Sequence, residues 1–176
     1  GIALDSSENI YVADSGNNRI MKWAPGATEG TVVAGGNGQG TGNNQFYYPT
    51  GIALDSSGNI YVVSQNSNRI MKWAPGATEG TVVAGGNADT GDSSGNNQLS
   101  FPNGIALDSS GNIYVIDRNN VRIMKWAPGA TEGTVVAGGN GQGTGNNQLR
   151  SPSYGIALDS SENIYVADSG NNRIMK

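Results

Sequence analysis

Asn9-Ile10-Tyr11-Val12-Ala13-Asp14-Ser15-Gly16-Asn17-Asn18-Arg19-Ile20-Met21-Lys22-Trp23 reads as two short strands and the turn between them. The two runs carry Ile, Val, Tyr and Trp, and the four residues between them are turn formers, a normal hairpin length. Upstream, residues 1–5 (Gly-Ile-Ala-Leu-Asp) give another strand, and Asp5-Ser6-Ser7 can cap its own turn before Asn9. Downstream, Pro25-Gly26 starts a turn and Gly30 precedes a fourth strand over residues 31–35. The unit is therefore four strands, a to d, at 1–5, 9–14, 19–23 and 31–35. A Gly/Asn-rich stretch over residues 37–50 leads to the next unit.

The unit repeats. Gly-Ile-Ala-Leu-Asp-Ser-Ser starts at Gly1, Gly51, Gly104 and Gly155, and Arg-Ile-Met-Lys at Arg19, Arg69, Arg122 and Arg173. The segment that opens Trp-Ala-Pro-Gly-Ala-Thr begins at Trp23, Trp73 and Trp126. A period of this length marks a solenoid, a propeller or an array. No segment carries a useful helical period. Strands a, b and d are apolar almost throughout, as strands are when both faces of their sheet are covered. Propeller blades are covered in that way, and small residues such as Ala3 and Gly35 allow close approach between them. The sequence predicts an all-β fold, a β-propeller of four-stranded antiparallel blades. Its units are 1–50, 51–103 and 104–154, three complete blades, with a partial fourth over 155–176.

Composition narrows the function. The formal net charge is −4 with no Lys/Arg-rich run, so a nucleic-acid partner is not expected. No long apolar or polybasic segment suggests a membrane partner. The chain has no Cys and no His. No disulfide framework, thiolate chemistry or imidazole base is available, and the commonest transition-metal ligand is missing. No cofactor and no metal site are expected. The chain opens at Gly1 rather than Met, which suggests a processed or excised segment.

Residues 8–20, Glu-Asn-Ile-Tyr-Val-Ala-Asp-Ser-Gly-Asn-Asn-Arg-Ile, resemble the core pattern of the NHL repeat family. The resemblance recurs four times and covers the whole chain. It implies a propeller of four-stranded blades, commonly six, and mostly binding roles, with a minority of lyases and hydrolases on related propellers. Blade two departs from the pattern, with Ser64 where Asp14, Asp117 and Asp168 stand in the others.

Each Asp that ends strand b stands five positions before the Arg that starts strand c. The pairs Asp14/Arg19, Asp117/Arg122 and Asp168/Arg173 are expected to lock their hairpins as carboxylate–guanidinium contacts. Arg69 lacks that partner, which makes it the candidate for a free cation or an inter-blade contact. Asp5, Asp55, Asp108 and Asp159 are read as turn caps rather than metal ligands. Trp23, Trp73 and Trp126 are read as blade packing rather than sugar platforms. Asp89 and Asp92, in the insert over residues 87–94, lack the spacing of a calcium loop.

In an up-and-down blade the b–c and d–a loops share one face. The c–d segment is identical in its three copies, and nearly all differences fall in the b–c loops and d–a linkers. Loops on a rigid scaffold usually carry binding. Tyr47, Tyr48, Arg69, Arg118 and Arg150 are therefore the candidate ligand residues. The expected function is a non-catalytic scaffold or binding module for a protein or a glycan. One alternative is a self-assembling structural protein, in an extracellular setting, whose partner is itself or further repeats of a longer chain. Another is a metal-dependent propeller lyase or hydrolase, which the absence of His disfavours.

Overall fold

A computed structural model describes residues 1–87 and 93–176. The two insert carboxylates, Asp89 and Asp92, lie outside these residues. The described residues form fifteen strands in four antiparallel sheets, the blades of a β-propeller. Blade one is β1 (Ile2–Leu4), β2 (Ile10–Asp14), β3 (Arg19–Trp23) and β4 (Thr31–Gly35). Blade two is β5 (Pro49–Leu54), β6 (Ile60–Ser64), β7 (Arg69–Trp73) and β8 (Thr81–Gly85). Blade three is β9 (Ile105–Leu107), β10 (Ile113–Asp117), β11 (Arg122–Trp126) and β12 (Thr134–Gly138). Blade four has three strands, β13 (Ile156–Leu158), β14 (Ile164–Asp168) and β15 (Arg173–Met175). Each sheet follows chain order, so every connection within a blade is a hairpin.

The helical content of the described residues is three single 3-10 turns, Ser15–Asn17, Gln65–Ser67 and Ser169–Asn171. Each is closed by an Asn in the left-handed region, at φ 52°, 51° and 51°. Asn tolerates that conformation better than most residues, and the short turn lets strand c reverse directly onto strand b. Register is the same in each blade, with Asp14 opposite Arg19, Ser64 opposite Arg69, Asp117 opposite Arg122 and Asp168 opposite Arg173.

The core lies between blades. One cluster joins Tyr11, Ala13, Ile20, Ala34 and Phe46 of the first repeat to Ile52, Ile60, Val62, Met71 and Trp73 of the second. The next uses the same repeat positions one unit on, with Leu99 in place of Phe46 and Trp126 in place of Trp73. Both faces of the middle sheets are thus covered, which is why their strands are apolar without alternation. Blade one shows what happens without a neighbour on that side. Ile2 and Ile10 are 69% and 39% exposed, whereas Ile52 and Ile60 are 7% and 4% exposed. Stability in such a stack comes largely from nearest-neighbour interfaces.

Candidate functional site

The b–c hairpins and the d–a linkers meet on one face. The linker leaving blade one crosses onto the blade-two hairpin, where the Asn66 N–H donates to the Tyr47 carbonyl at 3.1 Å. The next linker does the same, with the Asn119 N–H on the Ser100 carbonyl at 3.1 Å. The third repeats it, with the Gly170 N–H on the Arg150 carbonyl at 2.8 Å. These contacts hold each linker against the hairpin of the blade that follows. Tyr48 and Arg150 are exposed, and Tyr47 is half-buried. Arg118 is half-buried, with its guanidinium 5.7 Å from the centre of the Phe101 ring, within cation–π range.

The strand-c arginines of blades two to four tie each of these blades to the linker before it. Arg122 Nη1 donates to the Ser94 carbonyl at 2.8 Å, and its Nη2 to the Gly95 and Gln98 carbonyls at 2.9 and 3.3 Å. Arg173 treats Thr144, Gly145 and Gln148 in the same way, at 2.8, 2.9 and 2.9 Å. Their Nε atoms donate to Asp117 at 2.7 Å and Asp168 at 2.8 Å. The Asp14–Arg19 pair also lies at 2.8 Å.

Arg69 is not a free cation at the surface. Its Nη atoms donate to the Thr41, Gly42 and Gln45 carbonyls at 2.6, 2.9 and 3.2 Å. The residue is 6% exposed, and its Nε is buried without a partner. Burial with no carboxylate alongside lowers its pKa. Of the two roles its sequence context suggests, the inter-blade contact is the one the geometry shows, and it does not present a charge to a ligand.

The opposite face is built from four equal turns. Asp5 Oδ1 accepts the Ser7 and Asn9 N–H groups at 3.0 and 2.9 Å. Its Oδ2 accepts Asn9 Nδ2 at 2.8 Å and the Tyr11 hydroxyl at 3.1 Å. The Asn9 side chain, with the other donors, holds the Asp5 carboxyl below its usual range. Asp55, Asp108 and Asp159 make the same contacts. A carboxylate with this many donors already satisfied is committed to its turn. Among the described residues, no group of three or more Asp or Glu is placed to hold a metal ion. Among the described residues, no helix is long and apolar enough to cross a membrane.

Tyr154 belongs to the variable face and was not singled out by the sequence reading. It is 64% exposed, and its N–H donates to Asn103 Oδ1 at 3.3 Å. Its signal was the third linker, which places Ser153-Tyr154 after Pro152 where the first two place only Thr50 and Asn103.

A family model described as NHL repeat matches residues 1–23, 99–126 and 155–176, and a β-propeller repeat model matches residues 39–65. No curated protein matches the chain. Among solved structures, a nidogen/laminin complex is similar at 24% identity and TM-score 0.73, over 99% of this chain and 58% of that one. An auxiliary nutrient binding protein from Bacteroides thetaiotaomicron is similar at 20% identity and TM-score 0.69, over 96% of this chain and 44% of that one. A streptogramin B lyase is similar at 18% identity and TM-score 0.62, over 98% of this chain and 49% of that one. The chain thus spans about half the length of these structures, and the likeness is one of fold.

Proposed function

We propose that this chain, an array of NHL repeats folded as propeller blades, is a non-catalytic binding module that uses the b–c and d–a face. The observation that carries the reading is the coincidence of two patterns on one side of the blades. Nearly all residues that differ between copies belong to the hairpins and linkers of that side, and among the described residues linker-to-hairpin contacts tie the two together. Tyr48 and Tyr154 offer exposed aromatic surface, and Arg118 and Arg150 add charged donors from the same set of loops, which suits a glycan or a polar protein surface. The opposite face offers near-identical, internally satisfied turns, and a binding role there has no comparable support. Of the similar structures one is a nutrient binding protein, one a nidogen/laminin complex and one a lyase, so fold analogy alone does not choose between these classes.

The test is a glycan array probed with the wild-type chain and with a Tyr48→Ala/Arg118→Ala/Arg150→Ala variant. Saturable binding that this variant loses supports the reading. Binding that survives in it, but is lost on changing Ala27 and Thr28 in the c–d loop, defeats it.

A second reading, self-association into a scaffold, is favoured by the exposed Ile2, Leu4 and Ile10, whose counterparts in blades two and three pack against a neighbouring blade. Light scattering across a dilution series tests it. A mass that stays at one chain at every concentration rules it out.

A further inference from the structure

Blade two departs from blades three and four at two hairpin positions, and a cavity opens beside them. Blades three and four carry Asp and Asn there, Asp117 with Asn120 and Asp168 with Asn171, whereas blade two carries Ser64 and Ser67. Asn120 Nδ2 donates to Asp117 at 2.8 Å and to the Ser93 carbonyl of the preceding linker at 2.9 Å. Asn171 Nδ2 repeats this on Asp168 and the Gly143 carbonyl, both at 2.8 Å. That linker residue stands just before the one whose carbonyl takes the arginine Nη1, Ser94 in one blade and Thr144 in the other. In blade two Nη1 goes to Thr41, so the counterpart carbonyl is that of Gly40. Ser67 does not use it. Its hydroxyl turns into the hairpin, 2.6 Å from Ser64 Oγ and 3.2 Å from the Ser64 carbonyl. Among the described residues, no side chain donates to the Gly40 carbonyl.

The cavity has a volume of about 520 Å³ and belongs to the b–c and d–a face. Its walls include Thr41 of the linker, Asn66, Ser67, Asn68 and Arg69 of the hairpin, and Val82 of β8. Blade two has a four-stranded blade on each side. Arg69 commits its Nη hydrogens to linker carbonyls, and among the described residues no other charged side chain lines the cavity. The walls are therefore hydroxyl and carboxamide groups around one apolar side chain, Val82, which is 43% exposed. That chemistry suits a neutral ligand rich in hydroxyls that also carries an amide N–H and a small apolar group. The volume is on the scale of a small-molecule site, and the walls lack the apolar lining that an aromatic anchor of a protein partner would fill.

We propose that this cavity seats one N-acetylhexosamine unit of a glycan. The acetamido N–H donates to the Gly40 carbonyl, the acceptor whose counterparts in blades three and four take an Asn side chain. The acetamido methyl rests on Val82, and the ring hydroxyls meet Thr41, Asn66 and Asn68. The inference rests on the reading that this face binds a glycan, and it names the unit taken and the place that takes it.

The experiment titrates the whole chain with methyl N-acetyl-β-glucosaminide, followed by amide chemical shifts. Saturable binding is expected, with shifts centred on Gly40, Thr41, Ser67 and Val82. Methyl β-glucoside, which lacks the acetamido group, should bind at least about fivefold more weakly, as expected when a hydrogen-bonding group goes unpaired. The Ser64→Asp/Ser67→Asn variant gives the hairpin the residue types of blade three, supplies the Asn donor to the Gly40 carbonyl and should abolish binding. A melting temperature no lower than that of the wild type shows that this loss is not unfolding. The Tyr48→Ala/Arg118→Ala/Arg150→Ala variant should bind this monosaccharide as the wild type does. Loss in that variant, with binding kept in the hairpin variant, overturns the inference and leaves the wider reading of the face standing. Three other results overturn it. These are no saturation at tens of millimolar sugar, equal binding of methyl β-glucoside, and acetamide binding as tightly as the glycoside, which would make the seat one for an Asn or Gln side chain of a protein.

Discussion

The hairpins of blades two and three use the same arginine for the same purpose and satisfy it differently. In blade three, Asp117 accepts Arg122 Nε at 2.7 Å, Asn120 Nδ2 at 2.8 Å and the Ser100 N–H at 2.7 Å. In blade two, Ser64 Oγ accepts the Tyr47 N–H at 2.9 Å and Ser67 Oγ at 2.6 Å. Ser64 takes over one carboxylate oxygen's work, on the linker, but supplies nothing to Arg69 Nε. The grip on the preceding linker survives unchanged. Two tasks that look like one motif in the sequence are therefore separable. The guanidinium ends join blade to blade, and the Asp keeps the cation and the hairpin satisfied.

The largest expected difference comes from deleting the arginine in each place. Arg122→Ala leaves Asp117 buried at 0% exposure without its cation, a loss of about 3–5 kcal/mol for a broken buried pair. Arg69→Ala orphans no carboxylate and removes a buried, unpartnered Nε along with three hydrogen bonds to carbonyls. A smaller loss is expected, about 1–2 kcal/mol. Urea denaturation of the two variants measures both. If Arg69→Ala proves as costly as Arg122→Ala, the Asp is incidental and the clamp carries the whole effect.

Next in size is the reverse change. Ser64→Asp with Ser67→Asn gives blade two the residue types of blade three. The new carboxylate would accept Arg69 Nε and the Asn side chain while keeping the Tyr47 N–H. A gain of about 1–2 kcal/mol is expected from satisfying a buried charged donor. No change, or a loss, in the denaturation midpoint would mean that the Ser64–Ser67 pair is already well fitted to this hairpin.

Much of this was readable beforehand. Strand bounds at Arg19–Trp23 and Thr31–Gly35 follow from local composition, because a short run carrying Ile and Trp, or Thr and Val, between turn formers has few alternatives. The a–b turn around Asp5 is also local, every partner lying within six residues. The arginine clamp is not local. Arg122 reaches carbonyls 24 to 28 residues earlier, and main-chain acceptors leave no mark in side-chain identity. Strand a was read one residue too long at each end in blade one, since Gly1 and Asp5 flank the paired residues Ile2–Leu4. The choice of face came from hairpin topology and repeat differences. The exposure of Tyr154 depends on how a longer linker leaves the surface, which repeat pattern alone does not set.

Acid should separate the hairpins further. The Arg19 hydrogen bond, followed by the Asn17 side chain, holds Asp14 below its usual value of 3.8. Burial pushes Asp168 up, but the Arg150 N–H, Asn171 and Arg173 outweigh it and hold it below 3.8. A carboxylate whose folded pKa is depressed contributes stability that is fully present above the unfolded value. That contribution is lost as pH falls through the folded value. Hairpins one and four should therefore lose amide protection below about pH 4, the ordinary Asp range, while hairpin two, with Ser64, has no such carboxylate to protonate. Hydrogen exchange resolved by hairpin measures this. Equal acid sensitivity in hairpin two would show that the loss is global rather than local.

The smallest effect concerns the residue that closes each hairpin. Asn18, Asn68 and Asn172 take this left-handed position, and Val121 takes it in blade three at φ 52°. A β-branched residue is strained there, at a cost of order 1 kcal/mol or more. Asn18 Oδ1 also accepts the Tyr48 N–H at 2.9 Å, and Asn68 Oδ1 the Phe101 N–H at 2.8 Å, a bond that Val121 cannot offer to the linker. Against this, Val121 packs on the cluster of Ile116, Ile123 and Leu149. It is only partly buried, so the packing lost on Val121→Asn is smaller than for a full core position. The strain relieved and the hydrogen bond gained should therefore prevail, raising stability by about 1 kcal/mol and the melting temperature by roughly 2–4 °C for a chain of this size. A melting temperature that stays level or falls would show that the apolar contact outweighs both. In that case the blade-three hairpin has exchanged a hydrogen-bonded closure for a packed one.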